Sequence, residues 1–494
     1  MVEERAAATG PRRETELLNV RGIIKDAFKV IIQDAAMKPV LLLCACVASL
    51  TSIGSAFAAD RPPNIVFIMA DDLGPGWVDY DGSNPDLNTP NLQRLANEGM
   101  TFTKAYAAAP VCSPTRAACI TGLAPARIGL TTHVPGKAGN ERPGPKGGPR
   151  EADSLNHLPL DLPSYARELK LLGYATGFIG KWHLAGEGSI GTPDGIVNRD
   201  YHPERFGFDV NVGGCAYGQP RSWFAPYHNG TIADRKPGEY LTDRLGDEAA
   251  AFINDHRDRP FHLTLWPYSV HTPIKAPRDL VAKNGGDAYR AMVESLDGAV
   301  GKVLDALEAT GNADRTLVVF YSDNGGHIPT EGLADKKASL LEGGLRVPMV
   351  VRWPGVIEPG TTCAVPVTSM DFFPTFVQAS GGVPPETVPL DGVDLAPLFR
   401  GANRLERDAL YWHFPHNRME VSHYMGSVIL EDEWKFYLGH GLIKNKLFNL
   451  QTDPGETRDV SAEFPDRAER MRHKLERWLA ETSAKMPKSP RQTR

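Results

Sequence analysis

The run Val111-Cys112-Ser113-Pro114-Thr115-Arg116 sets a thiol shortly before a guanidinium, across a proline that reads as a turn into a helix. A cysteine beside an arginine at such a helix start ionises more readily than a free thiol and becomes reactive. Taken alone, a cysteine is more often a buried structural thiol, so its chemistry depends on what the rest of the chain brings to it. Four apolar runs end in polar groups: residues 64–70 before Asp71-Asp72, 174–180 before Lys181 and His183, 261–269 before His271, and 316–321 before Ser322-Asp323-Asn324. Singly, each group has a plainer reading. An Asp-Asp pair is often a capping turn, a lysine a solvated charge, and a histidine a satisfied buried imidazole.

The elements that must position these groups follow from periodicity. Continuous apolar runs such as Asn64-Ile65-Val66-Phe67-Ile68-Met69-Ala70 read as strands buried on both faces. Their polar ends then lie at the carboxyl edge of an α/β sheet, where such folds bind ligands. Helices are predicted over 89–98, with Leu92 and Leu95 on one face and Gly99 as the stop, over 163–172, and over 288–309. Alternating strands and helices give an α/β sheet covered on both sides. Residues 136–150 form a Gly/Pro-rich basic loop, expected as a rim. From about residue 407 the pattern changes to short strands (408–414, 424–430, 434–438) and a final helix over 465–482. The expected organisation is thus an extension with a signal peptide over 1–58, a catalytic domain over 59–406, and a C-terminal antiparallel-sheet domain over 407–494.

A length of 494 residues accommodates one large core and a smaller one. The formal net charge of -6, without a basic stripe, excludes a nucleic-acid partner. Residues 39–58 are apolar and uncharged, follow Lys38 and end in Ala56-Phe57-Ala58, which predicts export with cleavage before Ala59. The rival is an uncleaved anchor; with cleavage, no stable membrane partner is expected. Residues 1–36 are polar, so they read as an over-long leader, or else translation begins at Met37. The four remaining cysteines, Cys112, Cys119, Cys215 and Cys363, make neither a disulfide framework nor a zinc site.

Together these segments resemble the type I sulfatases of the alkaline-phosphatase superfamily, among them bacterial arylsulfatases and N-acetylgalactosamine-sulfatase-like enzymes. The resemblance rests on Cys112-Ser113-Pro114-Thr115-Arg116 with Thr121-Gly122, and on the run from Gly173 to Lys181-Trp182-His183. It extends through Asp71-Asp72, His271-Thr272-Pro273, Asp323-Asn324-Gly325-Gly326, Lys337 ahead of Glu342-Gly343-Gly344, and Asp453-Pro454-Gly455-Glu456. Cys119 and Ile120 depart from the family pattern. The resemblance implies a large mixed sheet flanked by helices, with a smaller C-terminal antiparallel sheet plus helix. It also implies that Cys112 is oxidised to formylglycine by a formylglycine-generating or anaerobic maturating enzyme.

The implied metal set is Asp71, Asp72, Asp323 and Asn324 with residue 112, hard oxygen ligands suited to Ca²⁺, with Mg²⁺ as the alternative. In the implied reaction the aldehyde hydrates and one hydroxyl attacks sulfur, with Asp323 as base. His271, with Lys337, protonates the leaving alcohol. His183 then takes a proton from the second hydroxyl, and sulfate is expelled. Arg116, Lys181 and Lys337 would hold the sulfate oxygens. For the substrate side, expected to be a sulfated carbohydrate, the candidates are Trp223 and Tyr227 in the loop over 213–227, and His413 and His416 from the C-terminal domain. The rival functions are a phosphodiesterase or phosphonate monoester hydrolase of the same superfamily and an inactive carbohydrate-binding relative.

Overall fold

The computed structural model describes residues 61–80, 84–135, 148–186, 199–386, 388–418 and 421–489. The predicted export segment and most of the basic loop over 136–150 lie outside them. No described helix is long and apolar enough to cross a membrane.

The strands, in chain order, are β1 (Asn64–Ala70), β2 (Met100–Phe102), β3 (Ala105–Tyr106), β4 (Ala175–Gly180), β5 (Val210–Val212), β6 (Phe261–Trp266), β7 (Thr316–Ser322), β8 (Val350–Arg352), β9 (Thr361–Cys363) and β10 (Val367–Thr368). Eight of them form one sheet in the order β5-β4-β6-β1-β7-β8-β2-β9. The strands from β5 to β7 run parallel, while β8 is antiparallel to both β7 and β2, so the sheet is mixed. All seven residues of β1 are buried, as the unbroken apolar run requires.

Alternation along β1 divides the core in two. Ile65, Phe67 and Met69 pack on one face of the sheet, and Val66, Ile68 and Ala70 on the other. The α-helices of seven residues or more are α1 (Pro90–Asn97), α2 (Cys112–Thr121), α3 (Tyr165–Leu171), α4 (Leu241–Asp255), α5 (Ala288–Ala309), α6 (Phe372–Ala379) and α7 (Pro465–Glu481). α2, α3 and α6 cover the first face, and α1, α4 and α5 the second. α5 spans the predicted limits, and its start is marked: the Asp287 carboxylate accepts from the Tyr289 and Arg290 amides. The predicted strand over 261–269 ends early, at Trp266, where Pro267 cannot extend a ladder.

Beyond Arg407, β11 (Leu410–Phe414), β12 (Gly426–Glu431), β13 (Trp434–Gly439) and β14 (Lys446–Asn449) form an antiparallel sheet in chain order. One face of it carries Ile429, Phe436 and Leu447 against Met471, Leu475 and Leu479 of α7. The opposite face sends Val428, Leu430 and Tyr437 against Leu340, Leu341 and Leu345, the segment just after Lys337. This sheet belongs to the same compact unit, residues 62–494, as the large one.

Candidate active site

Register brings the polar strand ends together. β1 and β7 pair residue for residue up to Ala70 and Ser322, so Asp71 and Asp323 emerge side by side, and the Asp323 amide donates to the Ala70 carbonyl at 3.1 Å. The loop after β6 returns to the same place, with the Asp71 amide donating to the Ser269 carbonyl at 2.8 Å. At the end of β4 the chain turns on Gly180, φ +113°, and the Lys181 amide donates to the Trp266 carbonyl at 2.7 Å. A Cβ at Gly180 would stand 2.1 Å from that carbonyl oxygen, so glycine is required for Lys181 to turn inward. Asp72 and His183 also have positive φ, 64° and 57°. Strain of this kind, of about 1–3 kcal/mol each, collects where side-chain aim matters more than backbone comfort.

The result is a buried alternation of charges. Arg116, on α2 and fully buried, grips Asp323 Oδ2 through Nε (3.0 Å) and Nη2 (2.7 Å), and donates to the Lys181 carbonyl at 2.9 Å. Lys181 Nζ lies 2.6 Å from Asp71 Oδ2. Lys337 Nζ lies 2.7 Å from Asp72 Oδ2 and 3.5 Å from Cys112 Sγ. Asn324 Nδ2 donates to Asp72 Oδ1 at 2.8 Å, and His271 Nε2 is 3.6 Å from Asp72 Oδ2. Buried charges persist only when matched in this way.

These contacts set the protonation states. Burial pushes the Cys112 thiol up, but Lys181 and Lys337 more than reverse it, to about 7. Burial, reinforced by Asp323, holds Asp71 well above the usual carboxylate range. Burial is outweighed at Asp72 by Lys337 and His271, and at Asp323 by Arg116 and Lys181, so both sit below that range. Asp323 thus has both oxygens engaged, Oδ1 by the Asp72 amide at 3.1 Å. That suits a fixed anionic ligand better than the base anticipated for it. His271, despite burial, is pushed up by Asp72, which favours a proton donor. Burial, aided by Lys181, drives His183 well down, which favours neutral imidazole. Its Nε2 meets the Val134 carbonyl, and its buried Nδ1 lacks a hydrogen-bond partner, leaving that lone pair to accept a proton.

A divalent cation fits this floor. Asp71 Oδ1 and Asn324 Oδ1 are buried oxygens without a donor. Asp71, Asp72, Cys112 and His271 each offer an atom within 4.8 Å of the others'. Asp71, Asp72, Asp323 and Asn324 are the residues that would hold the ion.

Above the floor opens a cavity of about 600 Å³, walled by Asp72, Cys112, His183, His271 and Lys337 among others. This is the size of a small-molecule site. A larger cleft, about 1150 Å³ and lined by Arg352, Pro359 and Phe399, lies along β9, apart from these charges.

The expected substrate residues fare differently. Trp223 is 2% exposed; its indole donates to the Pro273 carbonyl at 2.8 Å and stacks on Tyr240. It supports the loop bearing His271 rather than facing the cavity. Tyr227 is buried against Glu239. His413 is occupied by Ser427 Oγ at 2.7 Å and the Lys485 carbonyl at 3.1 Å, and His416 by Thr131 Oγ1 at 2.8 Å. The same segments supply other residues to the wall: Tyr217 and Arg221 from the loop over 213–227, and Arg418 just beyond β11. His133 and His327 join them. Sequence reasoning passed over these. The signal was the single arginine in each segment, overshadowed by its aromatic neighbours.

A family model described as "Sulfatase" matches residues 63–383, and one described as "N-sulphoglucosamine sulphohydrolase, C-terminal" matches 330–485. Mouse steryl-sulfatase is 33% identical over 86% of this chain and 84% of its own. Mouse N-acetylgalactosamine-6-sulfatase is 32% identical over 72% of this chain and 70% of its own. Among solved structures, Ps i-CgsB in complex with k-i-k-neocarrahexaose is 30% identical, with a TM-score of 0.71, covering 85% of this chain and 93% of that one. The ordered strand ends, the Cys112 helix start and these likenesses agree, and the chain belongs to the sulfatase family, the hydrolases of sulfuric esters.

Proposed function

We propose that this sulfatase is exported to the periplasm or beyond the cell, and removes sulfate from a sulfated carbohydrate through a formylglycine made from Cys112. The observation that carries the reading is the place of Cys112 itself. It begins a fully buried helix, beside Lys337 and the acidic floor, and lines the cavity. Support for a carbohydrate comes from relatives named for N-acetylgalactosamine-6-sulfate chemistry and for a neocarrahexaose complex. Support for export is the cleavable apolar segment over 39–58.

As a hydrated aldehyde, residue 112 supplies an oxygen nucleophile and a second hydroxyl from which sulfate can later be eliminated. A cation, Ca²⁺ or Mg²⁺, on Asp71, Asp72, Asp323 and Asn324 would lower the pKa of that nucleophile and draw charge from a sulfate oxygen. Lys337 on the cavity wall places positive charge where the transferring sulfuryl group becomes more negative, and Lys181 and Arg116, paired with Asp71 and Asp323 beneath it, hold the floor in place. His271 hands its proton to the departing alcohol oxygen. His183 Nδ1 takes the proton that residue 112 must release for sulfate to leave.

The discriminating assay compares 4-nitrophenyl sulfate with 4-nitrophenyl phosphate and phenyl phosphonate esters, before and after chelation. A sulfate-ester rate well above the phosphorus-ester rates, abolished by chelator and restored by Ca²⁺ or Mg²⁺, is expected. Faster phosphonate turnover would assign the site to the phosphorus chemistry instead.

A further inference from the structure

His271 stands in a loop that is fixed differently on its two sides. Before it, the backbone is tied to the end of β1. The Asp71 amide donates to the Ser269 carbonyl at 2.8 Å, and the Val270 amide to the Asp71 carbonyl at 2.6 Å. Ser269 Oγ also meets Thr242 Oγ1 in the first turn of α4. After His271 there is no such ladder. Pro273 and Lys275 are exposed, and among the described residues only two hydrogen bonds reach residues 272–276 from another segment. The buried Trp223 indole donates to the Pro273 carbonyl and the buried Tyr240 hydroxyl to the Lys275 carbonyl, both at 2.8 Å.

The aim of the His271 ring depends on that stretch. Its Nδ1 lies 2.7 Å from the Thr272 carbonyl, which can only accept, so Nδ1 carries a proton. Nε2 is then the nitrogen left for the reaction, 3.6 Å from Asp72 Oδ2. A carbonyl in an exposed stretch steadies a ring only if the stretch is itself held. The two donors are built into the scaffold. Trp223 stacks on Tyr240, with ring centroids 5.8 Å apart and planes at 24°. The Trp223 carbonyl accepts from the Leu241 amide at 2.8 Å, and Phe224 and Tyr240 face each other in an antiparallel bridge. Both donors thus sit at the start of α4, whose Leu245, Ala249 and Ile253 belong to the core. A rigid ring with one polar tip places that tip with little rotamer freedom, and here both tips end on the loop that carries His271.

We propose that Trp223 and Tyr240 are positioning residues for proton donation. Their hydrogen bonds to the Pro273 and Lys275 carbonyls hold the Thr272 carbonyl in place, and so keep His271 Nε2 presented to the departing oxygen. This rests on the reading of His271 as proton donor.

The test measures kcat/KM, which reports the step in which the phenol departs, for 4-nitrophenyl, phenyl and 4-methoxyphenyl sulfate. The proteins are the wild type, Trp223→Phe, Tyr240→Phe and His271→Asn. A proton donor matters little for the acidic nitrophenol and more as the phenol becomes less acidic. His271→Asn should therefore lose at least about tenfold more on 4-methoxyphenyl than on 4-nitrophenyl sulfate. Trp223→Phe keeps a ring against Tyr240 and removes the N–H. It should lose activity in the same order along the series, by roughly threefold to tenfold more at the 4-methoxyphenyl end, and Tyr240→Phe should follow it. An even loss on all three esters in Trp223→Phe, or no loss, beside a graded loss in His271→Asn, would overturn the proposal and leave Trp223 a packing residue. A flat His271→Asn series would remove the proton donor itself, and the proposal with it. Should a thermal melt show that Trp223→Phe does not fold, Tyr240→Phe, which loses a single hydroxyl, decides by the same criterion.

Discussion

Cys112 Sγ lies 3.5 Å from Lys337 Nζ, and its pKa is drawn to about 7 by Lys181 and Lys337 against the effect of burial. The cations that stabilise a thiolate there would equally stabilise an alkoxide at the same position. Cys112→Ala should therefore lower kcat by about a thousandfold or more while leaving the fold intact, measured on 4-nitrophenyl sulfate beside a thermal melt. His183 is held by the Val134 carbonyl and by close packing; a Cβ at Gly218 would stand 2.4 Å from its Nε2. Gly218→Ala should consequently cut kcat by roughly tenfold or more through displacement of the imidazole, with little change in melting temperature. An unchanged kcat would show that His183 Nδ1 is not the proton acceptor.

At the scale of elements, the site is a set of strand ends joined by register. Gly180→Ala tests this, because the added methyl meets the Trp266 carbonyl and forces a φ that alanine resists. A loss of at least about 2 kcal/mol in denaturant unfolding, together with reduced sulfate-ester turnover, is expected. Much of this layer was legible in the sequence. β1, β4 and β7 are unbroken apolar runs, and α5 repeats at 3.6 residues behind an aspartate cap. α4 went unpredicted, and so did the three-residue strands β2, β5, β8 and β9. Runs that short carry no periodicity of their own and are set by the neighbours they pair with. Part of the floor was legible for a related reason: Asp71, Lys181 and Asp323 directly follow strands, and Cys112 starts a helix. The wall was not. Trp223 and His413 looked available because nothing local shows that Pro273, Ser427 and Lys485 occupy them, while Arg221 and Arg418 face the cavity only through tertiary packing.

At the scale of the molecule, the C-terminal sheet reaches the site through a buried ion network. Lys435 on β13 lies 2.9 Å from Glu342 and 2.8 Å from Glu456, and Glu456 accepts from the Glu342 amide at 2.6 Å. The network anchors the segment that follows Lys337. Burial pushes Glu456 from the usual 4.5 to about 7, with Glu342 adding to the rise and Lys435 opposing it. A carboxyl raised in the folded state favours folding at low pH; that advantage disappears as pH rises from about 4.5 to about 7. Glu456→Gln should remove this loss, so its stability relative to the wild type should climb across that window, by on the order of 2 kcal/mol in urea titrations at pH 5 and 8. A flat difference would mean that Glu456 is ionised throughout. Cation binding is also a whole-molecule effect. Saturating Ca²⁺ or Mg²⁺ should raise the melting temperature, since a ligand bound only by the folded state stabilises it by mass action, and Asp72→Ala should abolish the shift.

The most direct measurement of the central claim is mass spectrometry of the peptide containing residue 112, from protein exported by its native host, alongside its sulfate-ester turnover. The expected result is a residue that has lost sulfur and two hydrogens and gained one oxygen, in proportion to the activity of each preparation. Full activity in protein whose residue 112 remains an intact thiol would contradict it.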